Sequence, residues 1–140
     1  MIVIDAFVAL KWVLSETGSD AADTLLDQNL MAPDLWLAES ANALWRRARS
    51  GDITAEQAST RFSELLKAPV ASFPIEPHVE RALALAIEIG HPIYDCIYLA
   101  LALNHDTHLV TADRRFALAA GREGFGGRVR LLHDPNATPT

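Results

Sequence analysis

MIVIDAFVALKWVLS, residues 1–15, passes without a break from a β-rich run into a helical one, and one acid, Asp5, stands at the join. Residues 1–5 read as a short buried strand and residues 6–15 as a helix. The same alternation recurs down the chain. A helix is expected over 19–30 with Ser19 as its N-cap, then a very short strand over 31–33. Pro33 and Asp34 open a long helix, LWLAESANALWRRARS (35–50), which Gly51 ends. Thr54 and Gln57 form a capping box for a helix reaching about Lys67. After it come a strand over 70–75 (VASFPI), a helix from Glu76 and Pro77 to Gly90, and a helix over 94–104. A strand over 108–111 (HLVT), a helix over 114–120 stopped by Gly121, and a strand over 128–132 complete the series. Short strands separated by helices point to an α/β fold with a mainly parallel sheet.

The bulk properties narrow the class of function. The chain has 140 residues, half of them hydrophobic and 21% charged, which suits one globular domain. That domain is expected over residues 1–133, with a polar tail, DPNATPT, over 134–140. No stretch reaches the length of a membrane span, and MIVIDAF meets an acid too early for a signal peptide, so a cytoplasmic protein is expected. Cys96, the single cysteine, lies in an apolar run and reads as a buried inert thiol. A net charge of −6 argues against gripping nucleic acid through general basic charge. His105 and His108 lack the partners a zinc site needs, and the glycine-rich GREGFGG (121–127) reads as a turn rather than a phosphate cradle. Trp12, Trp36 and Trp45 read as core or interface residues, and Arg46, Arg47 and Arg49 as surface charge or partner contacts.

Of the 18 acidic residues, four stand apart because each abuts or interrupts an apolar segment. Asp5 and Asp113 follow strands, at the carboxyl ends where α/β sheets build ligand sites. Asp95 interrupts the apolar run IYDCIYLALAL (93–103), in the first turn of its helix. Glu39 lies one to two turns into the 35–50 helix, in a polar row with Asn42 and Arg46 beside an apolar stripe of Leu37, Ala41, Leu44 and Ala48. Singly, each has an ordinary explanation: a helix-start acid for Asp95 and Asp113, a cap for Asp5, an ion pair with Arg46 or an arginine elsewhere for Glu39. Together, the four can converge on one edge of a parallel sheet. Two carboxylates 4 Å apart repel by about 4 kcal/mol at an effective dielectric of 20. Such a cluster raises pKa values or takes up a divalent ion, and all-oxygen ligands select Mg²⁺ or Mn²⁺. A bridging metal would also let an acidic protein hold a phosphate.

VIDAFVALKW, PDLWLAESANALWR, PIYDCIYLALAL and LVTADRRF, in this order and at these spacings, resemble the PIN domain, and more narrowly the VapC toxins of type II toxin–antitoxin systems. The resemblance spans residues 2 to about 132. It implies a three-layer α/β/α sandwich on a five-stranded parallel sheet. It implies a Mg²⁺- or Mn²⁺-dependent endoribonuclease, usually a homodimer, inhibited by a VapB-type antitoxin. The family's acidic site maps onto Asp5, Glu39, Asp95 and Asp113, with Thr111 and Asn42 as supporting polar positions. On this reading the acids hold the metal directly or through water, Glu39 ligates it or serves as general base, and Arg114 and Arg115 either approach RNA or are simply solvated. One departure stands out. The family commonly has a small residue and then Ser or Asn after the first Asp, whereas this chain has Ala6 and Phe7. Phe7 either weakens the site's polar surroundings or packs inward, and it is the best support for a rival reading, a catalytically weak PIN-fold module acting through its antitoxin. Phosphatase and receiver-type folds are disfavoured, because VIDAF lacks the D-x-D or paired acids they need. A flap-type DNA nuclease would normally be longer.

Overall fold

A computed structural model describes residues 1–132; the expected tail over 134–140 lies outside the described residues. The elements run β1 (Ile2–Ile4), α1 (Ala6–Leu10), α2 (Ser19–Thr24), a 3₁₀ turn (Leu25–Asp27), β2 (Leu30–Pro33), α3 (Leu35–Arg49), α4 (Ala55–Leu65), β3 (Val70–Phe73), α5 (Glu76–Ile89), α6 (Ile93–Asn104), β4 (Leu109–Thr111), α7 (Arg114–Arg122) and β5 (Val129–Leu131). All five strands are parallel, in the order β3-β2-β1-β4-β5. With right-handed crossovers, α1 to α4 cover one face and α5 to α7 the other, in agreement with the packing of α1 on α3 and of α5 on α6 and α7. This is the α/β/α sandwich expected from the resemblance.

Why these residues build these elements is mostly local. The central strand β1 and its neighbour β2 are buried along their whole length, as parallel strands covered on both faces must be. The capping box at α4 forms as expected: Thr54 Oγ1 accepts from the Gln57 N–H at 3.0 Å, and Gln57 Oε1 accepts from the Thr54 N–H at 2.8 Å. Helix α6 explains the apolar run around Asp95. Residues 96–102 are all buried, because α6 lies between the sheet and α5 and has no solvent face left. Cys96 is among them, free and fully buried, with its thiol pKa pushed up to about 11 by burial.

Several expected boundaries move. The helix expected over 6–15 stops at Leu10, and the chain then turns back through residues 11–18, held by Lys11 Nζ on Thr17 O at 2.8 Å. Ser19 is not an N-cap: Gly18, with φ 89°, takes that position, while Ser19 Oγ donates to Leu14 O and accepts from the Glu16 N–H. The helix expected over 19–30 ends at Thr24, because the chain must reach the register in which Leu30 pairs with Ile2. Gly121 does not stop α7, which continues to Arg122 before Gly124, at φ 90°, turns the chain. On α3 the buried face is Trp36, Ser40, Ala43 and Leu44 rather than the stripe through Ala41, which is exposed and lines a groove against α4. Trp36 belongs to the core, Trp12 is half-buried with its indole N–H on Ala22 O, and Trp45 is exposed under Arg49. Among the described residues no single helix is long and apolar enough to cross a membrane.

What matters for function is the strand order. Chain progression runs outward from β1 through β2 to β3 on one side and from β4 to β5 on the other. The switch point therefore falls between β1 and β4, at the carboxyl edge where α/β folds open a crevice.

Candidate active site

All four singled-out acids come to that edge. Asp5 directly follows β1, and Asp113 lies two residues past β4. Helix α3 begins directly after β2, so Glu39, in its second turn, stays near the same edge. Helix α6 feeds β4 through a short turn, so its C-terminus is at the opposite edge and its first turn, with Asp95, is at this one. The acids are close enough to feel one another's charge: Asp95 that of Asp5, Asp113 and Glu39, and Glu39 that of Asp5.

Asp5 is the buried anchor, only 3% exposed. Its Oδ1 caps α1 by accepting from the Val8 N–H at 2.8 Å. Its Oδ2 accepts from Thr111 Oγ1 at 2.5 Å and from the Ala112 N–H at 3.1 Å, so one carboxylate ties β1, α1 and the end of β4 together. Burial raises its pKa, with the three hydrogen bonds opposing the rise. Thr111, fully buried, also accepts from the Asp113 N–H at 3.0 Å. Asp113 Oδ1 caps α7 through the Phe116 N–H at 3.0 Å, which leaves Oδ2 facing the crevice. The ordinary reading of Asp5 and Asp113 as caps is thus correct as far as it goes, and the other oxygen of each does something more.

Asp95 is held differently. Its Oδ2 lies 2.7 Å from His91 Nε2, and its pKa is pushed up to about 8, first by burial, then by a hydrogen bond with Asp113 and the charges of Asp5, Asp113 and Glu39. Glu39 does not pair with Arg46 among the described residues; its Oε1 accepts from the Tyr98 hydroxyl at 2.6 Å. Burial raises the Glu39 pKa, the Tyr98 bond lowers it and Asp5 raises it again. Buried against these acids, the Tyr98 phenol is pushed far above its ordinary range.

Other expected positions contribute less. Asn42 is exposed on α3, and no hydrogen bond joins it to Glu39 among the described residues. Arg114 and Arg115 are exposed in the first turn of α7. Arg47 pairs with Glu16. Phe7 does not pack inward: it is 42% exposed and lines a cavity of about 370 Å³ with Leu10, Ala43 and Arg46, which none of the four acids lines. Two site residues escaped the sequence reading, His91 and Tyr98. His91 carries a weak signal, four residues before Asp95 in GHPIYD. Tyr98 reads as just another apolar residue of α6.

Among the described residues one group of three side chains offers ligand atoms within 4.8 Å of one another: His91, Asp95 and Asp113. Crowded carboxyls at the mouth of a crevice, one of them with its proton held to about pH 8, suit a divalent cation. Histidines 105 and 108 are not in this group; His105 Nδ1 lies 3.2 Å from Leu101 O and its ring meets the edge of Phe73.

The chain is similar to known proteins in sequence and in fold. The PIN domain model matches residues 2–122. Ribonuclease VapC3 of Pyrobaculum aerophilum is 32% identical over 121 residues, covering 83% of this chain and 92% of that protein. The crystal structure of PAE2754 from Pyrobaculum aerophilum superposes with a TM-score of 0.68 at 25% identity, covering 84% of each chain. A toxin–antitoxin complex from Klebsiella pneumoniae shares the fold, with a TM-score of 0.68 at 17% identity over 96% of this chain and 99% of that one.

Proposed function

The chain belongs to the PIN domain family, and from that premise we propose that it is a VapC-type toxin, a divalent-metal-dependent endoribonuclease. The observation that carries this reading is the meeting of Asp5, Glu39, Asp95 and Asp113 at the β1–β4 switch point, in a chain aligned along most of its length with a protein named a ribonuclease.

The residues present fit a cation. Asp95 and Asp113 each offer a carboxylate oxygen, and Glu39 approaches from α3. Asp5 has both lone pairs of Oδ2 engaged, so it can contribute only through Oδ1. Bound there, Mg²⁺ or Mn²⁺ would supply Lewis-acid polarisation of the scissile phosphate and lower the pKa of water. The protein's own share is placement and proton transfer. Asp5 and Thr111 fix the strand ends, and Asp113 is oriented by its cap. Glu39, kept basic by burial, takes the proton of the attacking water, and Tyr98 holds it in position. Arg114 and Arg115 stand at the rim, where they can meet the RNA backbone.

The partners follow from exposed apolar surface. Val79, Leu83 and Ile87 form an i, i+4, i+8 stripe on α5, all at least 38% exposed, which supports a homodimer. The groove between α3 and α4, of about 490 Å³ and floored by Leu44, Ala48 and Phe62, suits an apolar antitoxin segment.

The test is direct. Antitoxin-free protein incubated with structured RNA should cut it with Mg²⁺ or Mn²⁺ and stop in EDTA; no cutting with any divalent ion sinks the proposal. A Tyr98→Phe variant should keep its fold, losing about 1 kcal/mol for one hydrogen bond. With that bond gone, the Glu39 pKa rises further, so the acid limb of the pH–rate profile should shift to higher pH as the rate falls. An unchanged profile would remove Tyr98 from the mechanism.

A further inference from the structure

We propose that His91 is a nitrogen ligand of the site's divalent cation and that it makes the site favour Mn²⁺ over Mg²⁺. This rests on the reading of the carboxylate cluster as a divalent-cation centre, and names a ligand outside the four acids.

The geometry comes first. His91 Nε2 lies 2.7 Å from Asp95 Oδ2 and 3.9 Å from Asp113 Oδ2. Neighbouring ligands of an octahedral ion, each about 2.1 Å from it, stand about 3 Å apart. The three donor atoms, all within 4.8 Å of one another, therefore already approach one face of such a shell. The imidazole thus faces two of the acids at once, not Asp95 alone.

The ring is also built into place. Its side chain is only 11% exposed, and it lies against Phe116 with ring centroids 4.7 Å apart. His91 stands in the link between α5 and α6, after Gly90 at φ 73° and before Pro92, with its N–H on Ala86 O at 3.2 Å.

The donor count supplies the third argument. Asp5 Oδ2 is saturated by Thr111 and Ala112, which leaves only its Oδ1 for a cation. His91 adds a nitrogen donor to the carboxylate oxygens of Asp95 and Asp113. Mg²⁺ demands hard oxygen donors and gives up water reluctantly, whereas a mixed imidazole and carboxylate set suits a first-row transition ion.

The experiment uses the full chain, without nucleic acid. Mn²⁺ is titrated in, pulsed EPR reads ¹⁴N coupling to the ion, and calorimetry gives affinities for Mn²⁺ and Mg²⁺. Wild type should show the coupling and bind Mn²⁺ more tightly than Mg²⁺. His91→Ala should lose the coupling and about tenfold or more of its Mn²⁺ affinity, with less change for Mg²⁺. His91→Asn serves as a second variant with a polar side chain, and wild type labelled with ¹⁵N-histidine checks independently of either variant that the nitrogen is histidine's. Mn²⁺ bound in an Asp95-dependent way without ¹⁴N coupling overturns the His91 assignment and leaves the centre standing. Coupling that persists in both variants overturns it too. No Mn²⁺ binding by wild type overturns the centre and the assignment together.

Discussion

Asp95→Asn is expected to abolish RNA cleavage and, at the same time, to make the metal-free protein more heat-resistant at pH 8. The two effects share a cause. Asp95 sits among Asp5, Asp113 and Glu39 with little water to screen it, and its pKa rises from 3.8 to about 8. Between those values the folded chain holds a proton that the unfolded chain releases. Stability therefore falls as pH climbs through that window, and the cost is fully present above it. Asparagine keeps the shape and removes the titrating charge. The melting-temperature advantage of the variant over wild type in EDTA should be small at pH 4, below most of the window, and grow steadily to pH 8. Adding Mn²⁺ should cancel or reverse it, because the cation stabilises only a chain that binds it. Cleavage should drop by about 100-fold or more, since the variant loses a charged oxygen that the cation needs. Melting curves and initial rates at the two pH values check this. A variant that melts no higher than wild type at pH 8 contradicts the electrostatic account, and one that cuts RNA normally contradicts the site.

Asp5→Ala should do the reverse to stability while also ending activity. Three donors lose their acceptor at once: the Val8 and Ala112 N–H groups and the Thr111 hydroxyl. Losing the cap costs about 1 kcal/mol and each stranded buried donor about 1–3 kcal/mol, partly offset by removing a carboxylate that burial itself disfavours. The net loss should be about 2–4 kcal/mol, a fall in melting temperature on the order of 10 °C. Asp5→Asn should fall between, because its amide oxygen can still serve one side while its NH₂ confronts donors on the other. Denaturation midpoints for the pair decide the matter: an alanine variant as stable as wild type would show that Asp5 serves chemistry alone. The two acids thus separate by experiment although both are site residues. One is wired into the fold, and the other is tolerated by it.

Much of this was legible beforehand, for a reason visible in particular residues. Strand and helix signals are short-range, so the order of elements, the Thr54 capping box and the setting of each acid could be read from neighbours in sequence. Boundaries went wrong where a tertiary demand overruled a local one. The stretch 19–30 is helical by composition, yet strand pairing of Leu30 with Ile2 ends the helix early. Phe7 looked like a change to the site's polar surroundings, but the short α1 turns its ring outward beside Arg46.

By itself, then, the sequence determined an α/β chain with four acids placed where strands end and helices begin, because those placements depend on residues two to four positions apart. Beyond the local caps made by Asp5 and Asp113, it could not determine what each carboxylate touches. That Tyr98 meets Glu39 across 59 positions, that Thr111 meets Asp5 across 106, and that His91 faces both Asp95 and Asp113 were decided only by the strand order that joins β1 to β4 and by the burial of α6 beneath α5. Those contacts set the charge and the proton affinity of the cluster, and through them its chemistry, because desolvation and charge proximity are properties of three-dimensional surroundings.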